Sequence, residues 1–146
     1  MLISKRSKVA FISICLLSSL FFLQEDVQAE VQVEGAWMRL LPPMSKVTAA
    51  YMTLISDQED RLVSVSSNIA EVVEIHQSKM EDGVMSMQKE SCLYLPKDEP
   101  VELKPQSYHL MVMGLQSPLN EGENHQFTLE FEQAGKMLVH ITVRNP

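Results

Sequence analysis

Cysteine is almost missing from this chain: Cys15 and Cys92 are the only two among 146 residues. Cys15 falls inside an N-terminal apolar run that reads as a removable leader, so Cys92 is left as a lone thiol and no intramolecular disulfide can form. In the segment Ser91-Cys92-Leu93-Tyr94-Leu95 it reads as a small buried hydrophobe rather than a ligand. Positive charge is also scarce, with 12 Lys and Arg against 19 Asp and Glu and a net charge of −7. Such a balance argues against nucleic acid and anionic membranes as partners. There is no G-x-S-x-G, no H-E-x-x-H and no plausible nucleophile–base constellation, so nothing marks the chain as an enzyme. Beyond the leader there is no apolar repeat of helical period, no internal repeat, no low-complexity tract and no linker.

The N-terminal run has the parts expected of such a leader. Lys5, Arg6 and Lys8 form a positive start, residues 9–23 are apolar apart from Ser and Cys, and Val27-Gln28-Ala29 supplies the small residues a signal peptidase reads. The expectation is a secretory signal peptide, residues 1–29, cleaved after Ala29. A lipidated cysteine is rejected, because Ile12-Ser13-Ile14 ahead of Cys15 lacks the small residue that lipidation needs. An exported domain of residues 30–146 remains, one core by length, with its net charge moved to about −8.

That domain is built from short runs rich in Val, Ile, Thr and aromatics, punctuated by Pro, Gly and Asp, which is an all-β pattern. Candidate strands cover residues 31–40, 49–55, 61–66, 71–80, 84–89, 101–103, 108–113, 126–132 and 136–143. Eight or nine short strands in this length suggest a Greek-key sandwich or barrel.

Four residues, His76, Met87, His109 and Met111, stand out as H-x10-M-x21-H-x-M. Thioether sulfur is a soft neutral donor, poor for Mg²⁺, Ca²⁺ or Mn²⁺ and good for Cu(I), and zinc rarely uses it. Met80, Met85, Met87, Met111 and Met113 crowd around the two histidines, whereas core filling needs no such clustering. Strand geometry gives the pattern further meaning. Asp82-Gly83 between two strand-like runs predicts a two-residue type I′ hairpin, in which Met80 faces Met85 and Ser78 faces Met87. His76 and Met87 then become diagonal neighbours on one face. The same alternation places His109, Met111 and Met113 together on a later strand, and a meeting of the two faces would complete a four-ligand site. Met80, Met85 and Met113 are same-face spares.

With these residues in view, the chain resembles the periplasmic copper chaperone family PCu(A)C over nearly all of residues 30–146. Gly35-Ala36-Trp37-Met38-Arg39, Pro42-Pro43 and Ala49-Ala50-Tyr51 are similar to the family's opening segment. Val73-Glu74-Ile75-His76 with residues 80–87 resembles its hairpin, and residues 101–105 and 108–115 resemble its second ligand strand. The resemblance implies a cupredoxin-like β-barrel binding one Cu(I) ion through His76, Met87, His109 and Met111. It implies delivery to the binuclear copper centre of cytochrome c oxidase, directly or through a thiol-bearing assembly partner, in the periplasm. Apart from that resemblance, a monomer is expected. Some relatives add histidines at a terminus for Cu(II). This chain ends Arg144-Asn145-Pro146 without them, and His125 and His140 read as surface and structural residues respectively.

Other readings use some of the same residues. An electron-transfer cupredoxin needs a His₂Cys set, and no His follows shortly after Cys92. An exported β-sandwich whose methionines merely fill a core would be indifferent to copper. A copper buffer or resistance protein would use the same ligands and differ only in its recipient.

Overall fold

A computed structural model describes residues 28–146; the leader expected over residues 1–29 lies almost wholly outside the described residues. Ten strands follow one another without a helix among the described residues: β1 Val31–Arg39, β2 Val47–Ser56, β3 Asp60–Ser67, β4 Val72–Glu81, β5 Val84–Glu90, β6 Leu93–Leu95, β7 Val101–Leu103, β8 Tyr108–Met113, β9 Asn124–Phe131 and β10 Gly135–Arg144. Nine of these are the runs expected from sequence. The tenth, β6, is in sequence only an apolar segment around Cys92, because its strand character comes from pairing with the distant β3 through Leu62↔Leu93 and Asp60↔Leu95.

The sheet order is β5-β4-β8-β2-β1-β10-β9-β3-β6, and a single pairing, Val65↔Val73, joins β3 back to β4. Seven strands thus close a cupredoxin-like barrel, with β5, β6 and β7 appended to it. Inside lie Met38, Leu54, Leu62, Leu110, Phe127, Leu129 and Ile141, all essentially without solvent exposure. Burial of this apolar surface drives the fold.

Two local features aim residues at the outer face. The first is a bulge in β1: Glu34 pairs with Thr53 and Trp37 with Tyr51, so Gly35 and Ala36 together oppose Met52. Gly35 takes φ +59°, the left-handed conformation that such a bulge uses. The extra residue reverses the side-chain parity, so Val31 and Val33 face the core before it and Met38 after it. Trp37 and Arg39 are thereby turned outward, and Trp37 packs on Tyr51 at 4.8 Å between ring centroids. The second is the turn between β7 and β8, where Ser107 N–H donates to Lys104 O at 3.1 Å. Pro105 sits at its second position and Gln106, at φ +65°, at its third, the geometry of a type II turn.

A candidate metal centre on the outer face of four strands

The β4–β5 hairpin has the register expected from Asp82-Gly83. Glu81 faces Val84, Met80 faces Met85, and Ser78 faces Met87. Asp82 and Gly83 take φ of 51° and 77°, as a type I′ turn requires.

The later ligand strand does not approach the hairpin from another side. It is β4's direct neighbour in the same sheet, with His76 paired to His109 and Glu74 to Met111. The inward residues Val73, Ile75, Leu110 and Val112 are buried, so alternation puts Glu74, His76, Met87, His109 and Met111 on the outer face. The imidazole centroids of His76 and His109 stand 5.9 Å apart, tilted by 54°.

In a flat sheet Met87 and Met111, two strands apart and offset by four positions, would lie about 16 Å apart at their Cα atoms. They nevertheless line one cavity of about 410 Å³, together with Met85, His109, Tyr51 and Arg39. The twisted, curling wall of the barrel folds the hairpin over the face of β8 and β2. His76 does not line this cavity; it stands beside it, across from His109. Of the spare methionines, Met85 reaches the cavity, while Met80 and Met113 do not.

The hydrogen bonds fix which nitrogen of each imidazole is free. His109 Nδ1 lies 3.0 Å from Ser107 O, and a carbonyl can only accept, so Nδ1 carries the proton and Nε2 keeps its lone pair. His109 itself is 4% exposed. Ser107 O also accepts from Ser78 N–H at 3.1 Å, so one carbonyl ties the two ligand-bearing strands together. His76 is held the other way round. Its Nε2 lies 3.0 Å from Glu74 Oε2, and its Nδ1 is buried without a hydrogen-bond partner. Hydrogen bonds from His76 and Lys89 hold the Glu74 carboxyl below its ordinary value, so it is an acceptor at neutral pH. A carboxylate that orients a histidine in this way is a common support for a metal ligand. A buried nitrogen with a lone pair and no partner is costly unless something meets it.

Among the described residues, no group of three or more His, Cys, Asp or Glu side chains is placed to hold a metal. The further donors on this face are the thioethers of Met85, Met87 and Met111. Cys92 is half-buried and is not among the cavity's lining residues. Neither remaining histidine joins the site. His125 is half-buried against Glu123. His140, expected to be structural, is exposed, because Val139, Ile141 and Val143 take the inward positions of β10.

Residues 31–143 match the model of the LpqE-like lipoprotein family. The chain belongs to that family. The match begins after Cys15. An uncharacterised protein of Rickettsia prowazekii (strain Madrid E), RP573, is 33% identical over 124 residues, which are 81% of this LpqE-like chain and 68% of that one. Among solved structures, CuI-DR1885 from Deinococcus radiodurans superposes with a TM-score of 0.66 at 32% identity, covering 83% of each chain. The copper-bound PCuAC domain from PmoF2 superposes with a TM-score of 0.69, covering 82% of this chain and 96% of that one. At 24% identity that second likeness is one of fold. The PCu(A)C resemblance, the all-β class read from the sequence pattern and the cupredoxin-like barrel that the resemblance implies are borne out.

Sequence reasoning missed two residues of this LpqE-like site. Glu74 could have been found, since it lies two positions before His76 on the same strand face. Arg39 carried a subtler signal, the lone Gly35 inside a strand pattern, which marks a bulge and a change of face.

Proposed function

We propose that this chain is an exported copper metallochaperone that holds one Cu(I) ion through His76, Met87, His109 and Met111. Working in the periplasm, it hands the ion to the binuclear copper centre of cytochrome c oxidase, directly or through a thiol-bearing assembly partner. The observation that carries the reading is the pairing of His76 with His109, each keeping one free nitrogen while its other nitrogen is held. Met87 and Met111 on the same face add two soft donors. The solved relative DR1885, at 32% identity, is described with Cu(I) bound, which supports the same cargo here.

Two imidazoles and two thioethers are all neutral, so none has to shed a proton to bind once the histidines are deprotonated. Glu74 orients His76, and the Ser107 carbonyl orients His109. The barrel thus presents two preset nitrogens, and the edge hairpin adds Met87, which is 57% exposed. An acceptor offering a thiolate can approach that open side and replace the thioethers one at a time. The role is carriage, and no bond in a substrate is made or broken by the protein.

Anaerobic competition titration with a Cu(I) chelator tests this directly. One tight equivalent is expected, weakened strongly in His109→Ala and more mildly in Met111→Leu. Binding that ignores both substitutions would overturn the ligand assignment.

A further inference from the structure

The cavity beside the candidate ligands is flanked by positive charge that no carboxylate neutralises. Arg39 lines it, and no carboxylate does. Arg39 and Arg144 are direct partners in the parallel β1–β10 pairing, which puts their side chains on the same outer face. Neither forms an ion pair among the described residues, and the buried Nε of Arg39 has no hydrogen-bond partner. The chain carries seven more acidic than basic residues, so carboxylates were plentiful, yet none is placed here. Glu74 lies on β4, with β8 and β2 between it and β1, and is already engaged by His76 and Lys89. Like charges placed directly opposite each other in a sheet are destabilising, and an unmet buried guanidinium donor adds to the cost. An anion would relieve both.

We propose that Arg39, assisted by Arg144, makes this cavity a receptor for a carboxylate carried by the thiol that exchanges copper with the site. The inference rests on the copper-carrier reading and adds the chemistry of the exchanging molecule. The planar guanidinium fork matches a carboxylate in two parallel hydrogen bonds. A bound Cu(I) with four neutral ligands contributes one more positive charge, which strengthens the attraction. Once the carboxylate is seated, the thiol of the same molecule gives its proton to water and forms a Cu–S bond. The Met87 sulfur–copper bond breaks, and the copper stays in the +1 state. The rim suits such a visitor, because Val47, Met85 and Met87 offer exposed apolar contact around the cation.

The test uses three small thiols on the Cu(I)-loaded protein: 3-mercaptopropionate, 2-mercaptoethanol and cysteamine. The ratio of the mercaptopropionate rate to the mercaptoethanol rate, compared between proteins, cancels the intrinsic reactivity of each thiol. In Arg39→Gln that ratio should fall roughly tenfold, the scale of a charge-assisted hydrogen-bonded pair. Arg144→Gln should shift it in the same direction by less. Lys136→Gln, which removes the same charge at the far end of β10, should leave it unchanged. The ratio of the cysteamine rate to the mercaptoethanol rate should shift the other way and rise in Arg39→Gln, because a repelled ammonium gains when the guanidinium is removed. Propionate, having the carboxylate without the thiol, should slow mercaptopropionate in the unaltered protein alone. A ratio equal in the unaltered protein and Arg39→Gln, or shifted as much by Lys136→Gln, overturns the proposal. A copper-free measurement separates this failure from failure of the carrier reading. The Arg39 Nε–H resonance should move on titration with propionate even if no Cu(I) is taken up, and a silent resonance also overturns the proposal.

Discussion

Met80 and Met85 face each other directly across the β4–β5 hairpin, yet only Met85 lines the cavity. The two thioethers were indistinguishable as spares in sequence, and the curl of the barrel wall separates them. Met85→Leu is therefore expected to slow Cu(I) transfer to a thiol acceptor severalfold by removing a transient donor. Met80→Leu, altering a side chain 63% exposed at the hairpin tip, should leave transfer unchanged. Stopped-flow transfer to one thiol acceptor distinguishes them, and equal rates in both variants would remove Met85 from the path.

Met87 should leave copper before Met111 does. It stands on an edge strand paired on one side only, whereas Met111 sits on β8 between β4 and β2. Detaching Met87 costs only a local opening of the hairpin, and such edge segments open at a small fraction of the global stability. Met87→Leu should thus accelerate transfer more than Met111→Leu, while Met111→Leu should weaken equilibrium binding more. Transfer rates and competition affinities measured on the same two variants check the ordering, and the reverse pattern would refute it.

Two left-handed positions near the site predict stability changes of opposite sign. Gly114 has φ +71°, and a Cβ there would lie 2.7 Å from Glu71 Cβ. Gly114→Ala should cost about 2–4 kcal/mol, combining backbone strain with overpacking. Gln106, at φ +65° in the type II turn, occupies a position that favours glycine. Gln106→Gly should be neutral or stabilising by up to about 1 kcal/mol. Urea unfolding of the two variants gives both signs in one experiment.

Glu123 supplies a pH signature away from the candidate metal centre. Its carboxylate accepts from Asn120 Nδ2 at 2.6 Å, from Asn120 N at 3.1 Å and from His125 Nε2 at 3.0 Å. The Asn120 side chain is the leading cause that holds it below its ordinary value of 4.5. A depressed carboxylate adds stability above its unfolded value, and that stability is lost as pH falls through the folded one. Glu123→Gln should accordingly lower the unfolding temperature at about pH 7, and the gap should narrow as pH falls below 4.5. A gap that persists in acid would mean that charge plays no part.

Local chemistry made much of the site legible. Asp82-Gly83 dictated a turn, the turn dictated the register, and period-two alternation then put His76 and Met87 on one face. The limits of β8 were equally readable from its alternating pattern. What sequence could not supply was non-local. Nothing within residues 71–90 reveals that β8 pairs with β4, and without that neighbour the direct opposition of His76 and His109 is invisible. The same reason hid β6, whose three residues are a strand only because β3 lies beside them. The outward turn of Arg39 required counting through a bulge, and a regular strand over residues 31–40 assigns it the wrong side. His140 was misjudged for a related reason, since an apolar neighbourhood in sequence does not say which parity faces in.

The lone Val65↔Val73 pairing gives the barrel a seam, and the seam runs along β4. Every other joint in the ring is a ladder of several pairs, so this is where the cylinder should breathe. An ion held jointly by β4, β5 and β8 would clasp the strand next to that seam from its other side. Cargo and stiffness would then be one variable: an empty carrier would flex at β4 and a filled one would not. A recipient could sort the two by touch, without ever probing the metal.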